Sequence, residues 1–288
     1  MADATTLIFD IDDTLYPVSC GFTEHRLNDV LISYMVERLG FESREEASKL
    51  RTEYFRKYHS SIKGLAVATK EGRLPKPFDE ADCAAYWAEY CQFTKYLKPD
   101  PAFVQALGTL QEAGLKFIAF SNSPRQYAIN CLQALGVKDF FPDGQVFGVD
   151  DLLPLCKPEK AAFEKVLGSV GARPEEAVMF EDSMKNIRAC KALGLHTVLI
   201  NEQLGEQAGS EATLLGDVPL PDDPAVDCAM QRIGQIQKVL PGLWKKRFEP
   251  AVTKEAAAEA AGPEAATEAT PAEEAATLAP ASKRCKTL

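Results

Sequence analysis

Three aspartates, Asp10, Asp12 and Asp13, follow the apolar run Leu7-Ile8-Phe9 and precede Thr14-Leu15-Tyr16. The apolar run predicts a buried strand, which places the aspartates at its carboxyl end. That is where an open parallel sheet binds its ligands. Carboxylates crowded there repel one another and call for a cation, and an oxygen-rich donor set suits Mg²⁺. Asp10 and Asp12, two positions apart, are spaced to act as nucleophile and proton donor if the turn carries both toward one substrate. The plainer alternative is an acidic turn that caps the following helix.

Three further polar groups stand near predicted strand ends or helix starts. Ser121-Asn122 follows Phe117-Ile118-Ala119-Phe120, and Cys156-Lys157-Pro158 precedes a helical segment. Glu181-Asp182-Ser183 follows Val178-Met179-Phe180, with Asn186 four residues beyond Asp182. Taken singly, Ser121-Asn122 also reads as a strand-to-helix turn, Lys157 as a solvated lysine and Asp182-Ser183 as a helix N-cap. Taken in order, with Asp10-Ile11-Asp12-Asp13-Thr14 as a DxDxT signature, the set resembles the four motifs of the haloacid dehalogenase-like (HAD) hydrolases. The resemblance covers nearly everything to about residue 245.

That resemblance implies a Mg²⁺-dependent phosphohydrolase in which Asp10 attacks phosphorus to form an aspartyl-phosphate. Asp12 would protonate the leaving alkoxide and then deprotonate the hydrolytic water. The metal would sit on Asp10, the backbone carbonyl of Asp12, and Asp182, with Glu181 near or in its shell. Ser121 and Asn122 would bind phosphate, and Lys157 would supply a positive charge. Asn186 would be an orienting group or a ligand, and Asp13 would stay peripheral. A carboxylate at Asp12 favours phosphate esters over carbon–halogen bonds, since a halide leaves without a proton; a phosphomutase shares this pattern.

Positioning such a site requires a parallel sheet. Leu7–Phe9, Lys116–Phe120, Val146–Val149, Ala177–Phe180 and His196–Ile200 are short continuous apolar runs set between helix-like segments, with a sixth strand expected near Ala225 to Ala229. Continuous apolar strands mean a sheet covered on both faces. The fold class expected is α/β, a Rossmann-like parallel core with an inserted α-helical cap. The interval after the first strand is far too long for one crossover. Thr23 to Leu39, Ser43 to Tyr58 and Glu80 to Tyr90 have helical apolar spacing. Ser43 with Glu46 fits a capping box, and Lys70 to Pro77 reads as a loop. The expected division is 1–17 and 96–249 as core, 18–95 as cap, and 250–288 as tail.

A helical insertion at this point is what the family uses as a cap that restricts access, favouring small phosphometabolites. Asp12 to Pro17, Ser121-Asn122-Ser123, and Val226-Asp227 with Ile233 to Trp244 resemble pyrimidine 5′-nucleotidase-like members. A nucleoside 5′-monophosphate is therefore the first substrate expected, ahead of a sugar phosphate, phosphoglycolate, or a regulatory protein that keeps the pocket. The segment Tyr58 to Leu65 carries His59 where relatives have glycine. His59 and Lys63 either read polar groups of the substrate or lie on the surface. His25 and His196 read as structural.

The rest of the composition narrows the setting. A net charge of −10 over 288 residues shows no basic stripe for a nucleic-acid polymer. The N-terminus lacks the pattern of a signal peptide, and no apolar run approaches the ~20 residues that span a bilayer. The eight cysteines include no CxxC pair and, like the three histidines, do not cluster. Together these argue for a reduced, cytoplasmic protein without zinc. The last 39 residues hold 14 Ala and 6 Glu without an aromatic. Such a segment cannot bury enough apolar area to order itself.

Overall fold

The computed structural model describes residues 1–202 and 218–244. The expected tail at 250–288 lies outside the described residues. Six strands form one parallel sheet: β1 (Thr6–Phe9), β2 (Lys116–Phe120), β3 (Val146–Phe147), β4 (Ala177–Glu181), β5 (His196–Ile200) and β6 (Cys228–Met230), in the order β3-β2-β1-β4-β5-β6. The chain moves outward from β1 to β3, then returns to the other side of β1 for β4. The crevice therefore opens beside the carboxyl end of β1, where the strand order reverses.

The strands are apolar throughout because both faces are buried. Successive side chains point to opposite faces. Leu7 and Phe9 accordingly join one core with Phe117, Val178 and Phe180, while Ile8 joins the other with Ile118, Phe120, Ala177 and Met179. Phe9 stacks on Phe180 at 4.6 Å and meets Phe103, Phe117 and Phe141 edge-on. This aromatic cluster anchors the residue immediately before Asp10.

The insertion between β1 and β2 is helical. It comprises α1 (Phe22–Glu24), a π-helical stretch His25–Leu31, α2 (Ile32–Glu37), α3 (Arg44–Tyr58), α4 (Ser61–Lys70), α5 (Glu80–Tyr90) and α6 (Phe93–Tyr96). Helices α7 (Pro101–Glu112), α8 (Arg125–Ala134), α9 (Lys160–Val170) and α10 (Met184–Ala192) cover the sheet.

Several local expectations change. The helix expected over Thr23 to Leu39 is interrupted by its π-helical middle, a form that recurs at functional sites. Helix α4 has no counterpart among the expected helices, since Gly64 weakens its helical signal. Packing explains that glycine: a Cβ there would lie 3.0 Å from Tyr54 Cβ. The capping box is half formed. Ser43 Oγ accepts the Glu46 N–H at 3.1 Å, but the Glu46 carboxylate accepts the N–H of Glu42.

The third strand stops after Phe147, because Gly148 turns the chain and its N–H donates to Asp151 Oδ2 at 2.9 Å. The sixth begins only at Cys228, since Asp223 Oδ1 accepts the Ala225 N–H in a turn. Among the described residues no helix is long and apolar enough to cross a membrane. The cysteines described are free thiols.

Phe9 is fully buried. Phe9→Ala is expected to cost about 3–5 kcal/mol of unfolding free energy. Urea denaturation measures this, and a loss below about 1 kcal/mol would contradict the anchoring role.

Candidate active site

Register brings the motifs together. Phe9 pairs with Phe180 across β1 and β4, and the Asp10 N–H donates to Phe180 O at 3.0 Å. The next residue on each strand, Asp10 and Glu181, therefore leaves the sheet side by side. On the other flank Phe9 pairs with Ala119, so Ser121 emerges from β2 beside Asp12.

Lys157 arrives on the loop before α9. Its main-chain N–H donates to Asn122 Oδ1 at 2.9 Å, and Asn122 Nδ2 donates back to Lys157 O at 2.9 Å. This reciprocal pair fixes the ammonium, which is 1% exposed, against Asp10 Oδ1 at 2.5 Å and Glu181 Oε1 at 2.8 Å. Thr14 Oγ1 donates to the other Asp10 oxygen at 3.1 Å. Glu181 also accepts from the Ser183 N–H at 2.8 Å and from Asn186 Nδ2 at 2.5 Å.

Asp10, Glu181 and Asp182 each offer an oxygen within 4.8 Å of the others. Burial raises Asp10 to about 8, with Lys157 opposing and Glu181 and Asp12 reinforcing the rise. Burial, then Glu181 and Asp10, lift Asp182 well above the ordinary carboxylate range. Burial would lift Glu181 as well, but the Lys157 charge together with hydrogen bonds from Asp182, Lys157 and the Ser183 N–H holds the group low. Lys157 is held above the usual lysine value because its two carboxylates overcome the cost of burial.

If all three carboxylates were ionised, one ammonium would leave two negative charges, which one divalent cation would balance. The buried Asn186 Oδ1 has no hydrogen-bond donor and faces the same cleft. An all-oxygen donor set, surplus negative charge and a spare buried acceptor together fit a hard divalent ion.

Asp12 has a separate environment. Tyr16 and Tyr127 donate to its Oδ1, both at 2.6 Å, and Ser123 donates to Oδ2 at 2.9 Å. Arg26 Nη2 lies 3.6 Å away. Burial alone would raise Asp12, but the Arg26 guanidinium and these hydrogen bonds outweigh it and hold the carboxyl below its usual range. In this state Asp12 can accept a proton; to give one, it must loosen from these donors. Ser121, assigned to phosphate by resemblance, is 3.4 Å from Asp12 Oδ2 and accepts the Ser123 N–H at 3.0 Å. The Asn122 side chain is spent on clamping loops. Asp13 is buried: its φ is +59°, it accepts from Thr23 Oγ1 at 2.7 Å, and it lines the cleft.

The cap closes the cleft from the turn between α3 and α4. His59 there has a φ of +58°, and its carbonyl accepts from Asn122 Nδ2 at 3.2 Å. Ser60 Oγ accepts the Lys63 N–H at 3.3 Å, capping α4, and donates to Asn122 O at 3.1 Å. Lys63 forms an ion pair with Glu159. His25 stacks on Tyr96 and lies 3.0 Å from Asp29, outside the cleft. Arg26, Tyr16, Tyr127, Ser123 and Ser60 were not singled out by the motifs. The four-residue spacing of Tyr16 from Asp12 was a readable signal; the others come from distant segments.

The model of the family described as haloacid dehalogenase-like hydrolase matches residues 4–194. Phosphate metabolism protein 8 of Saccharomyces cerevisiae is 28% identical over 199 residues, covering 66% of this chain and 60% of that protein's length. Glyceraldehyde 3-phosphate phosphatase of Methanopyrus kandleri is 31% identical over 219 residues, covering 74% and 90%. Phosphoglycolate phosphatase of Rhodospirillum rubrum is 27% identical over 208 residues, covering 68% and 78%. In fold, the chain is similar to CbbY from Rhodobacter sphaeroides in complex with phosphate, at a TM-score of 0.55 and 18% identity over 83% of this chain and 99% of that one. The family match spans the same strands that bring Asp10, Lys157 and Glu181 into contact, and the chain belongs to the haloacid dehalogenase-like hydrolases.

Proposed function

We propose that this protein is a Mg²⁺-dependent phosphatase that hydrolyses a small phosphomonoester through an aspartyl-phosphate on Asp10. The observation that carries this reading is the convergence of Asp10, Glu181 and Asp182 around one point beside the Lys157 ammonium. Relatives named as phosphatases of glyceraldehyde 3-phosphate and phosphoglycolate support a small phosphorylated substrate.

Asp10, Glu181 and Asp182 would hold the cation, with Asn186 Oδ1 a further acceptor toward it, and the backbone carbonyl of Asp12 a proposed ligand. When bound, the ion would screen the charge between the carboxylate and the phosphoryl oxygens. Asp10 is aimed by Thr14 and Lys157, which hold one oxygen each. Its attack on phosphorus forms an O–P bond as the ester O–P bond breaks. Asp12 is the group placed to move protons: to the departing alkoxide, then from the water that cleaves the acyl phosphate. Lys157 stays charged throughout and offsets the phosphate. Ser121 and Asn122 sit at the end of β2, where their hydroxyl and main-chain N–H are proposed to bind the phosphate.

The aromatic rings of the cleft bear on substrate size. Phe55 has Arg51 and Lys185 over its ring at 5.0 and 5.9 Å, and Trp87 has Arg26 at 5.4 Å. Both rings are buried, at 3% and 1% exposed, and give a nucleobase little to stack on, which favours a phosphorylated sugar or hydroxy acid over a nucleoside 5′-monophosphate. A turnover screen across nucleotides, sugar phosphates and 2-phosphoglycolate, with Mg²⁺ and with a chelator, tests both. Turnover is expected only with metal, and Asp10→Asn is expected to lower kcat by at least about 10³-fold. Equal rates in wild type and variant would remove the covalent mechanism.

The charge excess gives a second test. A carboxyl raised by its folded environment destabilises the fold at pH values above its ordinary range, where the unfolded chain ionises freely. Asp182→Asn is therefore expected to raise the metal-free Tm at pH 7 by a few degrees, about 2–4 °C per kcal/mol. The same change is expected to erase most of the Tm increase that Mg²⁺ gives the wild type. A lower metal-free Tm with an intact Mg²⁺ response would contradict the assignment.

A further inference from the structure

The two oxygens of Asp12 are met differently. Oδ1 accepts the phenol O–H of Tyr16 and that of Tyr127, each at 2.6 Å. Oδ2 meets hydroxyls from the end of β2, Ser123 at 2.9 Å and Ser121 at 3.4 Å. Arg26 Nη2 adds positive charge 3.6 Å from Oδ1, beyond hydrogen-bond length. A carboxylate oxygen has two lone-pair sites, so the two phenols fill those of Oδ1. A proton on Asp12 therefore belongs on Oδ2. There a serine hydroxyl can turn from donor to acceptor, and the loosening that proton donation requires falls on that side. With the proton on Oδ2, Oδ1 is a carbonyl oxygen and still accepts both phenols. The clamp holds in either state.

Packing fixes where the phenols point. Tyr127, on α8, is fully buried, and cap helices surround its ring: Phe22 of α1 lies parallel at 6.1 Å, Trp87 of α5 edge-on at 5.2 Å and Phe93 of α6 tilted at 5.6 Å. The Tyr16 ring meets the same Phe22 edge-on at 5.6 Å. A phenol oxygen lies on the axis of its ring, so rings locked by packing aim their hydroxyls. A buried phenol needs an acceptor, but that need alone does not bring two of them to one oxygen of a carboxylate in the cleft wall.

We infer that Tyr16 and Tyr127 are positioning residues that occupy Asp12 Oδ1 and leave Oδ2 to exchange the proton with the leaving oxygen. The inference rests on the phosphatase reading, with Asp12 as the acid. As the ester O–P bond breaks, its electron pair stays on the leaving oxygen. That oxygen takes the Oδ2 proton and departs as an alcohol, and Asp12 is left as a carboxylate. Both tyrosines keep their own protons.

Leaving-group dependence tests the clamp. Kinetics with Mg²⁺ compare the alkyl ester turned over fastest in the substrate screen with 4-nitrophenyl phosphate, whose phenolate leaves without a proton. If that aryl ester is not accepted, acetyl phosphate takes its place, since acetate also leaves unprotonated. The parameter is kcat/KM, which covers the steps up to departure of the leaving group and not the later attack of water. Tyr127→Phe and Tyr16→Phe each keep the ring and remove one hydroxyl. Each is expected to lower the ratio of kcat/KM for the alkyl ester to that for the comparison ester about tenfold, the scale of one hydrogen bond to a charged group. Asp12→Asn is expected to lower the same ratio further.

Tyrosine variants that slow both esters equally, as a purely structural role would, overturn the clamp and leave the phosphatase standing. An unchanged rate on both esters does the same. If one variant does not fold, the other decides. A wild type that turns over neither ester with Mg²⁺ would sink both claims together.

Discussion

The site depends on one buried ammonium. Lys157 sits against Asp10 and Glu181 with almost no exposure to water. A buried ion pair survives only when its geometry is good and its remaining donors and acceptors are met. Here the main chain of Lys157 is tied to Asn122 from both sides, and Glu181 is met by Ser183 and Asn186. Remove the lysine and several carboxylates would face one another in a low-dielectric space. Keep it, and the charge is still unequal. That surplus of acidic groups could hold a cation, independent of any family likeness.

The same loop that aims the lysine also carries the cap. Asn122 holds Lys157 with its side chain and accepts Ser60 Oγ with its carbonyl, while its amide reaches the carbonyl of His59. The Ser121-Asn122 loop, the Lys157 loop and the α3–α4 turn thus form one hydrogen-bonded unit. Polar groups so buried are costly when unmet, so closure of the cap and alignment of the lysine are energetically linked. Lys63, paired with Glu159, adds a contact across the same seam.

Asp10 and Asp12 lie two residues apart and occupy opposite electrostatic surroundings. Burial, with acidic neighbours, pushes the first up to about 8; an arginine and three hydroxyls hold the second down. Separation of this kind is how two carboxylates in one site take different roles. The separation comes from the adjoining turn, which carries Tyr16, and from two helical elements. Tyr127 stands on α8 and Arg26 on the π-helical stretch, and both converge on Asp12.

The sequence by itself determined the parallel sheet and the four polar motifs that stand near strand ends or helix starts. Continuous apolar runs admit only a doubly covered sheet, and residues following such runs must emerge at its carboxyl edge. It also determined the helical insertion, because the interval after Phe9 is too long for a crossover. Tertiary structure alone decided the rest. Strand order, not spacing, made Glu181 the immediate neighbour of Asp10. The close approach of α3 and α4, which leaves no room for a Cβ at Gly64 beside Tyr54, is likewise a tertiary fact. Donors to Asp12 come from segments more than a hundred residues apart, Ser123 and Tyr127 lying 111 and 115 residues beyond it. No periodicity in the chain encodes such a distance; only the closed fold brings those groups within reach.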